Sequence, residues 1–147
     1  MITTYLSRRA VKSLALVALA GSLNACMMFI RPPREARFYE RTQSSATQLY
    51  RASFSPTESI KVGRLHSWKI QVTSRDGVPV TDAKITVDGG MPQHGHGLPT
   101  KPIVTPLAGE DYELVEGMKF NMGGWWVVRL HIDGSKGSDV VTFNLKI

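Results

Sequence analysis

Alternation of apolar and polar side chains with a period of two recurs six times along this chain of 147 residues, and nothing else constrains its fold as strongly. Tyr50, Ala52 and Phe54 alternate with Arg51 and Ser53, and Trp68, Ile70 and Val72 with Lys69, Gln71 and Thr73. Ala83, Ile85 and Val87 follow, then Tyr112 and Leu114 around Glu113. The last two runs are Trp126, Val128, Leu130 and Ile132, and Val141, Phe143, Leu145 and Ile147. Such spacing puts one set of side chains on each face of a strand. Between the runs lie Arg75-Asp76-Gly77, Asp88-Gly89-Gly90, Gly123-Gly124 and Asp133-Gly134, where glycine supplies the positive φ that tight turns need. With a seventh strand near 59–62 or 101–105, residues 48–147 fit an all-β, antiparallel β-sandwich of about seven strands. No amphipathic helix is readable after residue 48. Trp68, Trp126 and Phe143 are the expected core aromatics.

The N-terminus reads differently. Arg8, Arg9 and Lys12 precede an apolar stretch, Ser13 to Ala20, of the length found in export signals. Leu23-Asn24-Ala25-Cys26 follows and resembles the bacterial lipobox, so cleavage before Cys26 and acylation of its thiol, for example with palmitate, are expected. Cys26 is the single cysteine, which excludes an internal disulfide. A buried free thiol and an uncleaved anchor are the alternatives. Four arginines soon after Ile30 argue against the anchor, because they would face outward. The expected organisation is therefore a signal peptide over 1–25, a lipidated N-terminus and flexible tether over 26–47, and the sandwich over 48–147. The expected location is the periplasm-facing cell envelope, with the membrane as partner through the lipid. Met27 in place of Asp resembles sorting to the outer membrane.

Charge supports this division. The formal net charge is +6, but residues 48–147 hold 11 basic and 10 acidic side chains. The excess lies in the leader and in the arginines of the tether, which face either lipid headgroups or solvent. A nucleic-acid reader concentrates basic residues on its folded domain, and this chain does not, so no nucleic-acid partner is expected.

The most unusual segment runs from Asp88 to Pro102, where glycine and proline recur around His94 and His96. Met91 precedes the pair, and Met118 and Met122 lie in a second segment, 117–125. Imidazole nitrogen with thioether sulfur favours copper, thioether suiting Cu(I) especially. Met91, His94, His96, Met118 and Met122 are thus the candidate metal ligands. The competing reading is structural: the imidazoles bond loop carbonyls while Met118, Phe120 and Met122 fill the core. His66 could join either network, and His131 belongs on the surface.

The stretch Gly90-Met91-Pro92-Gln93-His94-Gly95-His96-Gly97-Leu98-Pro99-Thr100, followed by residues 111–126, resembles the YtkA-like domain family, related to FixH-type proteins, over about residues 50–147. The resemblance implies an extracytoplasmic immunoglobulin-like β-sandwich, and a setting near copper handling and respiratory-oxidase assembly with an envelope or respiratory-complex partner. Leu98 stands where relatives carry Met close to the His pair, which removes one sulfur ligand.

No catalytic residues are proposed. Gly-x-Ser-x-Gly, a phosphate-binding glycine loop ending in Lys-Ser/Thr, and His-Glu-x-x-His are all absent from the sequence. Glu110, Asp111, Glu113 and Glu116 read as a solvated hairpin edge. Two functions follow: an envelope domain that binds or transfers copper, or a metal-free adaptor that meets a protein through an exposed edge or Trp125.

Overall fold

The computed structural model describes residues 30–38 and 40–147. The expected signal peptide, 1–25, and the expected lipidation site, Cys26, lie outside the described residues. One compact unit begins at Pro32 and runs to Ile147. A 3-10 turn, Glu35–Phe38, leads into nine strands: β1 Thr42–Ser44, β2 Tyr50–Pro56, β3 Leu65–Ser74, β4 Lys84–Met91, β5 His96–Gly97, β6 Ile103–Pro106, β7 Glu113–Lys119, β8 Trp125–Gly134 and β9 Gly137–Lys146. They form two antiparallel sheets, ordered β1-β2-β3-β7-β6 and β5-β4-β8-β9. The order β2-β3-β7-β6 opposite β4-β8-β9 is that of an immunoglobulin-type sandwich. The seven expected strands are these. The seventh is β6, from the 101–105 alternative, and β1 and β5 are short additions.

Each sheet turns one face inward, and the alternation decides which side chains go there. Tyr50, Ala52 and Phe54 of β2, and Trp68, Ile70 and Val72 of β3, are buried against Trp126, Val128, Leu130 and Ile132 of β8 and Val141, Phe143 and Leu145 of β9. Phe54 stacks on Trp68 with ring centres 4.5 Å apart and meets Phe143 edge-on across the sandwich at 4.8 Å. Phe120 meets Trp126 edge-on at 5.0 Å. Offset and edge-to-face pairs of this kind add about 0.5–1.5 kcal/mol each beyond the area they bury.

Two expectations need correction. The alternation around Glu113 has the opposite phase: Glu113 and Val115 are buried, while Tyr112 is exposed. The cause is a bulge. His66 of β3 pairs with Met118 of β7, but Trp68 pairs with Val115, so β7 carries one extra residue between these pairs. Gly117 adopts φ 79° there, which glycine alone among the residues accepts without strain. The bulge shifts the inward phase from odd to even positions, so Val115, Met118 and Phe120 all face the core.

The second correction concerns the end of the expected tether. Thr42–Ser44 pairs with β2 as an edge strand. Ser45 is buried and its hydroxyl bonds both backbone groups of Tyr50. The Asp139 carboxylate accepts hydrogen bonds from the Thr47 amide and hydroxyl and from the Leu49 and Val140 amides, which ties the 45–49 turn to β9. Burial alone would raise the pKa of Asp139, but these bonds outweigh it and hold the carboxyl well below the usual carboxylate range.

Candidate functional site

The His-Gly-His segment forms the tip of a hairpin. At the end of β4 the His94 amide donates to the Met91 carbonyl at 3.0 Å, closing a turn, and Gly95 follows at φ 64°. His96 and Gly97 then return as β5, opposite Met91 and Gly90. Glycine is required on the inner side of this hairpin as well. A Cβ on Gly90 would collide with the His96 carbonyl oxygen, and one on Gly89 would lie 2.5 Å from the Val127 oxygen. Two successive glycines therefore let β5 and β8 approach β4 from its two sides.

His94 and His96 are both exposed, with ring centres 6.1 Å apart. A shallow, open depression of about 230 Å³ lies beside the pair, between Gly90, Met91, Pro92, His96 and Arg129. Neither imidazole hydrogen-bonds a loop carbonyl among the described residues, so the expected structural role for these rings has no bond to carry it.

The three sulfurs are placed differently. Met91 is 2% exposed, and its methyl end lies against Gly124. Met118 is fully buried on β7. Met122 is 36% exposed in the segment before β8, where the Trp126 indole donates to its carbonyl at 3.0 Å. The structure brings His94 and His96 together at the surface and leaves Met91 and Met118 in the core. Among the described residues, no three side chains of His, Cys, Asp or Glu gather closely enough to hold a metal ion.

His66 lies elsewhere. It is 3% exposed at the inner face of β3, between Trp68 and Phe120, with ring centres 6.0 and 5.3 Å away. Burial lowers its pKa, partly offset by the Arg64 carbonyl and the negative charge of Glu58. Its position was legible in the sequence only as an even-numbered member of the Trp68 run.

His131 is at the surface, as expected, and bonds Asp88 at 2.8 Å; Arg129 reaches the same carboxylate at 3.3 Å. Trp125 is half-buried and donates to Asn144 at 2.9 Å. Of the acidic run, Glu110 pairs with Lys69 at 3.0 Å at the surface. Glu113 instead turns inward, and burial raises its pKa.

A family model described as YtkA-like matches residues 44–131, a span that includes the hairpin, the bulge and most of both sheets. The chain belongs to the YtkA-like family. Among solved structures, the ZirS C-terminal Domain is similar to this YtkA-like chain, with 13% identity, 80% of each chain covered and a TM-score of 0.35. No curated protein matches the chain.

Proposed function

We propose that this YtkA-like chain is a lipid-anchored domain of the cell envelope that captures copper at the tip of the β4–β5 hairpin, through His94 and His96. The observation that carries the reading is the exposed imidazole pair with ring centres 6.1 Å apart. Two imidazoles on one ion hold their ring centres about 4–6 Å apart, since each nitrogen sits about 2 Å from the metal. Side-chain rotation alone closes the remaining distance. Of the first-row divalent ions, Cu(II) binds a nitrogen site of this kind most tightly. Water completes the coordination, because both rings are open to solvent.

Met122 is the candidate sulfur that solvent reaches, and it precedes Gly124 in the same loop, which packs on Met91. Met91 and Met118 can add their sulfurs only if the core opens. The site therefore favours Cu(II) over Cu(I), and a surface hand-over over tight storage. The domain binds and presents the ion without chemistry of its own. Attachment through Cys26 and the arginine-bearing segment after it would keep it at the membrane surface, near an envelope or respiratory-complex protein.

Burial of Met91 and Met118 supports a second reading, a metal-free adaptor in which these thioethers are packing groups. Calorimetric and melting measurements with Cu(II), on the native chain and on His94→Ala/His96→Ala, separate the two. A copper-induced rise in melting temperature that the double substitution abolishes supports capture at the hairpin. An unchanged melting point in both proteins supports the adaptor.

A further inference from the structure

Two buried side-chain polar atoms lack a hydrogen-bond partner among the described residues, and they are neighbours: His66 Nε2 and Trp68 Nε1. An unmet polar atom in a core is costly, so the orphaned His66 Nε2 points to a ligand; the indole N–H of Trp68, a donor only, takes no part in it. His66 Nδ1 faces the Arg64 carbonyl at 3.4 Å, and a carbonyl can only accept. The ring proton therefore sits on Nδ1, and Nε2 presents a lone pair to the interior.

The bulge supplies the second donor. Without the extra residue at Glu116–Gly117, Met118 would point out of the sheet. With it, Met118 is fully buried and directly opposite His66. Gly117 holds the bulge at φ 79°, and its carbonyl accepts the Thr100 hydroxyl at 2.6 Å. Residues opposite one another in an antiparallel pair share a face and lie side by side. The rings of Trp68 and Phe120 pack beside His66, with centres 6.0 and 5.3 Å away.

We propose that His66 Nε2 and the Met118 thioether form an internal site for a soft monovalent cation, Cu(I) or Ag(I), separate from the hairpin. A linear N–metal–S unit has bonds of about 2.0 and 2.3 Å, so its nitrogen and sulfur stand about 4 Å apart. Thioether sulfur selects the soft ion. Aromatic neighbours suit a single positive charge better than a double one, since a ring face attracts a cation. A divalent ion is disfavoured there, because neither donor is an anion and an uncompensated double charge in a core is costly.

Ag(I) is the probe, because it is redox-inert. The full chain is titrated with Ag(I) while the histidine ring nitrogens are followed by long-range 1H–15N correlation spectra, in the native protein and in His66→Phe, Met118→Leu and His94→Ala/His96→Ala. The site predicts a coordination shift of the His66 Nε2 resonance that persists in the double variant. It predicts an affinity about 100-fold weaker or worse in His66→Phe, since even an outer-shell partner is worth about 10–100-fold. Met118→Leu conserves volume and should fold as the native chain does, yet lose the sulfur and at least about tenfold in affinity. A His66 resonance that Ag(I) leaves unmoved in the native protein overturns the site, whatever the folding of the variants. If only His94 and His96 respond, the internal site is wrong and the hairpin reading survives. If only His66 responds, the internal site stands without the hairpin.

Discussion

Met118 faces His66 across the β3–β7 pair because Gly117, one residue earlier, holds a left-handed φ of 79°. A Cβ on Gly117 would meet only the Lys101 oxygen and Pro102 Cα, each at 3.9 Å, so space is not what requires glycine here. Gly117→Ala should therefore cost the conformational strain alone, about 1–2 kcal/mol. Chemical denaturation checks this. A neutral substitution would mean that the bulge relaxes without penalty, and that the inward placement of Met118 is not enforced by the backbone.

Asp139 makes the turn at 45–49 part of the domain. Asp139→Asn should lower stability by about 1.5–3 kcal/mol at neutral pH, the range for bonds to a charged acceptor. The folded carboxyl titrates below its unfolded value of 3.8. Its stabilisation is complete above that value and is lost as pH falls through the folded pKa. Urea unfolding at pH 7 and at pH 3 should show a smaller gap between the native chain and Asp139→Asn at the lower pH. An equal gap at both would contradict the assignment.

Glu113 has the opposite sign. Its folded pKa is raised above 4.5 by burial, so the penalty is absent below the unfolded pKa and grows as pH rises through the folded one. Glu113→Gln should raise the stability by about 1 kcal/mol at pH 7, in the range for relieving a poorly compensated buried polar group. At pH 4 the gain should shrink. A destabilised Gln variant at pH 7 would show that the carboxylate has a favourable partner.

Gly90 is where packing, not backbone conformation, demands glycine, since any Cβ meets the His96 carbonyl. Gly90→Ala should detach β5 from β4 while leaving β8 and β9 in place. Amide hydrogen exchange should then quicken at Leu98, whose N–H bonds the Gly89 carbonyl at 2.9 Å, and stay slow at Val128. Unchanged protection at Leu98 would mean that the hairpin accommodates a methyl group.

Most of the sandwich was legible because β2, β3, β8 and β9 each keep one phase over their whole length, and period-two patterns report a half-buried strand directly. The 112–120 stretch misled because its even-numbered residues, Tyr112, Leu114, Met118 and Phe120, look like one continuous inward face. A bulge shifts the phase between Val115 and Met118, and the only local sign of it is Gly117. Asp139 carried no signal, since its partners in the 45–49 turn lie about ninety positions away. At the candidate site, glycine and proline marked the hairpin, so the exposure of His94 and His96 follows from local chemistry. The separation of Met91 and Met118 from them is tertiary: proximity in sequence to a loop does not say which side of a strand a thioether takes.

Capture of Cu(II) by the hairpin is tested most directly by electron paramagnetic resonance of the chain loaded with one equivalent of Cu(II). The account predicts hyperfine structure from two imidazole nitrogens, which His94→Ala or His96→Ala reduces to one and the double substitution removes, with little change in stability because both rings are exposed. A spectrum of unbound Cu(II), or a nitrogen pattern that survives the double substitution, would contradict it.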